Sequence, residues 1–441
     1  MILVNQSNDI TEAGNSQANA ARICIEKLLR KLPGTLVETA KSYGALVRRR
    51  VVKCARELIL VLFIYATSDM SLRMLAASAS AMGVASMSDQ AWQKRVVACE
   101  PWLSCIAKET IPKFTNRQNK MFLGRSVRLL DGSNIQQAGK NGKRGGGTIR
   151  VHMCYDITEG RMGDMLVTDK HTPESVAIFF IETGVIYIAD AGYGKGKNIA
   201  HIISRQADAI FRVTPNHLNL AKDGRGKSKI DMAKKLDIKA DFLDFSCYVH
   251  TENRHYVPVR IVASRLPEEK ALLAKERKIR SAKRRQTKKI RTATLVYAGW
   301  VILMTTLDDA YSAQDLLALY RARWQIELLF KRIKQSFDVS VLPAASLKHS
   351  KAMVLLWLIL WSLTEQNALA MEICLLEKEA DMTHYSPWAV QCFLFNQLKA
   401  IVNCLWAMCF DLETHALEAF QRLRNHRSSR SNQYAVFRFG C

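Results

Sequence analysis

The sequence predicts an α/β protein with helical regions at both ends. Three observations carry this prediction. Residues 1 to about 120 set apolar side chains at helical spacing, as in "SQANAARICIEKLLRKL" and "RRRVVKCARELILVLFIYA". From about 123 the texture changes to short β-rich runs bounded by Gly, Asp and Asn. Beyond about 310 the helical pattern returns and holds to about 420. With 441 residues, 49% of them hydrophobic, the chain can build two or three domains with cores of their own.

Within the first region, "SLRMLAASASAMG" and "VASMSDQAWQKRV" read as two helices joined by a turn at Gly83, with Ser88 capping the second. Residues 71–96 thus have the outline of a DNA-reading helix-turn-helix, a shape shared with any small helical hairpin. The strands begin with "RSVRLLDGSNI", ending at Asp131, and continue through "GTIRVHMCYDIT" and "RMGDMLVTD" as a meander. "GKRGGG" between the first two reads as a flexible turn. "ETGVIYIADAGYGKG" then runs from an apolar strand into Asp190, and "AIFRVTP" adds one more strand. A mixed stretch from about 215 to 310 holds strands in "HYVPVRIVASRL" and "YAGWVILMTTL". Between them lies "KERKIRSAKRRQTKKIR", with ten Lys or Arg and one Glu. A run of this kind is ordinarily a solvated loop. In so basic a chain it is also a candidate phosphate-tracking element, densest at Lys283, Arg284, Arg285, Lys288 and Lys289. Residues 310–336 read as one helix, and the apolar run "AMVLLWLILWSL" as a buried core helix.

The net charge of +24 points to a polyanionic partner, most simply nucleic acid. Eleven cysteines without a C-x-x-C pair, and no signal-peptide pattern, lead us to expect a reducing cytoplasmic setting without membrane or disulfide framework. "GKS" at 226–228 lacks the strand and the earlier glycine of a phosphate-binding loop, Ala221 standing where that glycine is required. The ten histidines show no zinc-ligand spacing.

Chemistry is suggested by three acids. Asp131 and Asp190 follow apolar strands, where either alone could simply cap a turn. Glu327 is the one acid in "YRARWQIELLFKRIKQ", among Arg321, Arg323, Lys331, Arg332 and Lys334. On a continuous helix, at about 100° per residue, Tyr320, Arg323, Glu327, Lys331 and Lys334 share a stripe roughly 80° wide. Ile326, Leu329, Phe330 and Ile333 form its apolar back. Pairing on a solvated face would use one acid and leave most of the cations unexplained. Three carboxylates brought together repel one another unless divalent cations lie between them, and hard oxygen donors suit Mg²⁺, with Mn²⁺ able to substitute. Two such ions serve phosphodiester chemistry.

At these residues the chain resembles a bacterial insertion-sequence transposase of the DDE type, in the insertion-sequence-four group with the signature Tyr-x2-Arg-x3-Glu-x6-Lys. Tyr320, Arg323, Glu327 and Lys334 fit that spacing without a gap, and "LLDGSNI" and "YIADAGYG" are similar to the two aspartate motifs. The resemblance covers roughly 120–340. It implies an RNase H-like catalytic domain, a mixed sheet flanked by helices, with Asp131 on the first strand, Asp190 on the fourth and Glu327 on a later helix. It implies a β-rich insertion at about 215–310, and contacts from Tyr320, Arg323 and Lys334 to the transposon end. Trp300 resembles an insertion-domain tryptophan that stacks on a flipped base. Leu307 stands where the family often has Asn.

Residues 1–120 are therefore expected to be a helical DNA-binding region, 121–340 the catalytic domain, and 341–441 a helical C-terminal region. The function implied is cut-and-paste transposition: two divalent ions, inverted-repeat and target DNA as partners, a hairpin intermediate and a homodimer on paired ends. The rival expectations are an RNase H-like nuclease without strand transfer and an inert DNA-binding regulator.

Overall fold

The computed structural model describes residues 23, 26–46, 51–68, 70–111, 124–138, 144–236, 240–252, 255–286, 290–337, 342, 346–377 and 387–408. They fall into two compact units. One comprises Lys113–Ile135 and Arg150–Arg332; the other comprises Met1–Pro112, Gln136–Ile149 and Ile333–Cys441.

The first unit is built on a mixed sheet. Its strands are β1 (Val127–Ala138), β2 (Arg144–Asp156), β3 (Arg161–Asp169), β4 (Ile186–Ala189), β5 (Asp208–Arg212), β6 (Leu220–Ala221), β7 (Phe242–His250), β8 (Tyr256–Arg265) and β9 (Trp300–Thr305). Their order across the sheet is β3-β2-β1-β4-β5-β9-β8-β7-β6. The first three make the expected meander. β1, β4 and β5 run parallel, with Leu130 opposite Ala189 and Ala189 opposite Phe211. β4 is flanked on both sides, which is why "IYIA" is apolar without alternation and wholly buried. The helix Gly196–Ser204 joins it to β5 and turns Ile199 and Ile202 into the core.

The expected β-rich insertion is present as an extension of this same sheet. β9 pairs antiparallel with β5, Phe211 opposite Met304, and β8, β7 and β6 follow outward. Leu307, just past β9, is buried, and its N–H donates to Thr305 Oγ1.

Four local expectations are corrected. β1 does not end at Asp131 but runs on to Ala138, because its far half is paired by β2. Residues 144–147 belong to β2 rather than to a turn. Most of the basic run is helical: Glu268–Arg284 is a helix with no buried residue, helped by Glu268 and Glu269 in its first turn and Lys283 and Arg284 in its last. Residues 310–336 are two helices, Ala313–Arg321 and Trp324–Ser336. Between them Ala322 and Arg323 donate to Leu319 and Tyr320, three residues back. That tightening narrows the turn and lengthens the rise per residue without reversing the chain.

Buried charge is satisfied within the sheet. Arg128, 2% exposed, donates to Asp156 Oδ2 at 3.1 Å and to Glu182 Oε2 at 2.9 Å. His152 is fully buried on β2, with Nε2 3.0 Å from Thr168 Oγ1 and Nδ1 without a hydrogen-bond partner. Burial pushes its pKa down to about 4. The unfolded chain takes up this proton near pH 6.5 and the folded chain does so only lower, so its contribution is intact above about pH 6.5 and is lost as pH falls toward 4. His152→Gln is expected to shrink the fall in melting temperature between pH 7.5 and pH 5. An unchanged fall would refute the assignment.

The second unit gathers helices from both ends of the chain. The sequence separates an N-terminal from a C-terminal helical region; here they belong to one compact unit. The helix Leu347–Glu377 packs on Glu100–Thr110 and Ala55–Thr67. Its stretch 352–363 is apolar on every face and buried, the expected core helix. Trp357 Nε1 donates to Ala66 O at 2.9 Å, and Phe337 stacks on Trp357 at 5.4 Å between centroids. The helices Leu72–Ala81 and Asp89–Ala98 form the expected pair, turning at Gly83 with φ +66°. Ser88 Oγ accepts from Ala91 N, as a capping residue should.

Candidate active site

The parallel register of β1 and β4 brings the two aspartates together. Leu130 and Ala189 are paired, and the next residue along each strand is Asp131 and Asp190. Neighbouring strands lie about 4.8 Å apart, so the carboxylates leave the sheet side by side. Each is oriented by a nearby backbone N–H: Gly132 N donates to Asp131 Oδ1 at 2.8 Å, and Gly192 N to Asp190 Oδ1 at 2.8 Å.

Glu327 lies in the first turn of Trp324–Ser336, where a carboxylate suits the helix dipole. Arg323 Nη2 donates to Glu327 Oε1 at 2.5 Å, and its guanidinium lies 5.7 Å from the Tyr320 ring centroid. The tightened turn at Ala322–Arg323 thus keeps Tyr320, Arg323 and Glu327 as one group even though the helix is broken.

Electrostatics join this group to the aspartates. Burial pushes the Asp131 carboxyl up to about 7; the Gly132 N–H opposes the rise, Asp190 adds to it, Arg323 opposes it and Glu327 adds to it. Arg323 feels the negative charge of Glu327 and Asp131, and half-buried Tyr320 feels Arg323, Arg212 and Asp190. A carboxyl raised by neighbouring acids is one that a cation would return to its ionised form. The donor set, three hard carboxylates, therefore fits Mg²⁺ or Mn²⁺ in kind. Among the described residues no three His, Cys, Asp or Glu stand at metal-ligand spacing, and Glu327 is held by Arg323.

Of the other expected residues, Lys331 is exposed and Lys334 half-buried further along the helix, and Lys283, Arg284 and Arg285 are exposed at the end of Glu268–Arg284. Lys288 and Lys289 lie outside the described residues. Trp300 is a correction: it is 3% exposed, in the core where β9 begins, with the Arg265 guanidinium 4.6 Å from its ring. It is no open platform for a base. Three residues that sequence reasoning passed over crowd the aspartates: Glu174, Tyr193 and Arg150. No periodicity marks them, since "TPESV" reads as an ordinary polar loop.

The family model for the transposase DDE domain matches residues 123–363. The chain belongs to this family. The transposase is 32% identical over 328 residues to the putative transposase InsL for insertion sequence element IS186A of Escherichia coli (strain K12), a match covering 73% of this chain and 87% of that relative. It is 32% identical over 329 residues to the transposase for insertion sequence element IS421 of Escherichia coli, with the same coverage of 73% and 87%. Its mixed sheet flanked by helices is consistent with the RNase H-like fold of a DDE transposase. The family match takes in Asp131, Asp190 and Glu327 together. Among the described residues no helix of the transposase is long and apolar enough to cross a membrane.

Proposed function

We propose that this transposase cuts double-stranded DNA at the inverted repeats of an insertion sequence and joins the freed ends to target DNA, with Asp131, Asp190 and Glu327 as its catalytic acids. The observation that carries the reading is the Leu130–Ala189 register, which sets Asp131 beside Asp190, with Glu327 in electrostatic reach. The three carboxylates would hold divalent cations, Mg²⁺ or Mn²⁺, two in number. When bound, these lower the pKa of water and polarise the scissile phosphate.

The chain's own residues do the rest. Arg323 pairs with Glu327 and restrains it until DNA arrives. Tyr320, Arg323, Lys331 and Lys334 face the DNA end, and Lys283, Arg284 and Arg285, with Lys288 and Lys289, track its backbone. Water attacks phosphorus at the end of the element, the bond to the 3′ oxygen breaks, and a free 3′ hydroxyl is left. That hydroxyl attacks the opposite strand to give a hairpin, which is reopened before its 3′ oxygen attacks target DNA, each attack expelling one 3′ hydroxyl. The helix pair within 71–96, in an N-terminal region of about 120 residues, reads the repeats, and two copies pair the two ends.

The test is incubation of the protein with Mg²⁺, end DNA and a target plasmid. Joined product is expected; cleavage without joining would leave a nuclease, and neither reaction a DNA-binding regulator. Lys334→Ala is expected to weaken end binding with a salt slope shallower by about one. An unchanged slope would exclude Lys334 from phosphate contact.

A further inference from the structure

The glycines that orient the two aspartates are also the walls of a cradle. A Cβ at Gly192 would overlap Glu174 Oε2, and one at Gly132 would stand 3.3 Å from Glu174 Oε1. Neither glycine has the left-handed backbone that only glycine adopts freely. At both positions, and most closely at Gly192, the space a side chain would take is occupied by the Glu174 carboxylate. It is inserted between the Asp131–Gly132 segment of β1 and the turn that follows Asp190.

Glu174 is held there from outside. Arg150 Nη1 lies 3.9 Å from Glu174 Oε1, and Arg150 is itself fixed by Asn134 Oδ1 at 3.0 Å and Thr172 O at 3.1 Å. A second, independent feature faces the same spot. The Tyr193 ring is fully buried and its hydroxyl has no hydrogen-bond partner, although it feels the charges of Glu174, Asp131 and Asp190. A buried hydroxyl without a partner is costly unless something occupies the polar space beside it.

We propose that Glu174 is a positioning residue for the cation site, a fourth carboxylate that acts through Asp131 and Asp190. This rests on the reading of those two aspartates as cation ligands. Glu174 fixes the Gly132 segment of β1 and the Gly192 turn against each other, and thereby the two carboxylates that their N–H groups orient. It also adds a negative charge behind them, which deepens the site's attraction for a divalent ion. Groups of this outer kind commonly contribute a factor of about 10–100 in metal affinity.

The test is Mn²⁺ titration of the full chain by calorimetry, without DNA, with thermal unfolding of each variant alongside. Glu174→Gln keeps the shape of the side chain and removes its charge; it is expected to weaken Mn²⁺ binding by about 10-fold or more at an unchanged melting temperature. Glu174→Asp keeps the charge and is expected to restore most of the affinity. It also serves if the amide variant fails to fold. Asp190→Asn separates the two readings. If Asp190→Asn loses Mn²⁺ while Glu174→Gln and Glu174→Asp bind like wild type, the role of Glu174 is overturned and the aspartate site stands. If Asp190→Asn also binds like wild type, both fall.

Discussion

Asp131→Ala, Asp190→Ala and Glu327→Ala are each expected to reduce strand cleavage at end DNA by about 10⁴-fold, the scale on which one member of a catalytic unit acts, while DNA binding stays within a fewfold of wild type. The reason is geometric. Asp131 and Asp190 occupy equivalent places on paired parallel strands, each turned by one backbone N–H. Removing either loses that one hydrogen bond and the anion itself, while the strand pairing that carries the site stays in place. Glu327 differs in one respect. Its alanine variant frees Arg323, which then lies nearer in charge terms to Asp131. A gel-based cleavage assay with a parallel binding assay reads both quantities. Equal loss of binding and cleavage in all three variants would show that these acids hold the fold or the DNA and not the reaction.

Arg128→Met is expected to lower the free energy of unfolding by about 3–5 kcal/mol, the usual scale when one partner of a buried ion pair is removed. Arg128 sits three residues before Asp131 on β1. Its guanidinium spans Asp156 and Glu182, with the Tyr187 hydroxyl 3.4 Å away. Methionine fills most of the volume but leaves Asp156, itself 1% exposed, as a buried charge. Urea unfolding measures the change, and a loss below about 1 kcal/mol would mean that water reaches the pair. Since the strand carrying Asp131 is anchored here, the variant is also expected to lose cleavage on mild heating before wild type does.

Much of the site was legible because its signals are local. An apolar strand running into an acid marks Asp131 and Asp190, and the fixed interval from Tyr320 to Lys334 marks Glu327. The helix carrying Glu327 was legible by periodicity, whereas its break at Ala322–Arg323 was not. A change from four-residue to three-residue hydrogen bonding leaves Arg323 and Glu327 as neighbours and so leaves no trace in the pattern. The basic helix Glu268–Arg284 was read as a loop for a related reason. It buries nothing, so it has no apolar stripe to find, and its internal support is charge pairing such as Glu276 with Arg280. Trp300 illustrates the opposite limit. Its sequence context leans only slightly toward a core residue over a base platform, and the pairing of β9 with β5 and β8 decides for the core. That same pairing, between segments about 95 residues apart, turns an apparent insertion into an extension of the main sheet. Glu174 was invisible because its place beside Gly132 and Gly192 is set by tertiary packing and leaves no local pattern.

The central claim is that Asp131, Asp190 and Glu327 jointly hold divalent cations at a DNA end. The most direct measurement is X-ray diffraction from crystals of the full chain with end DNA and Mn²⁺, using the anomalous signal to locate the ion. The account predicts anomalous peaks about 2.0–2.2 Å from carboxylate oxygens of Asp131 and Asp190, with Glu327 released from Arg323 to join them. Mn²⁺ located elsewhere, with Glu327 still paired to Arg323 in the presence of DNA, would contradict it.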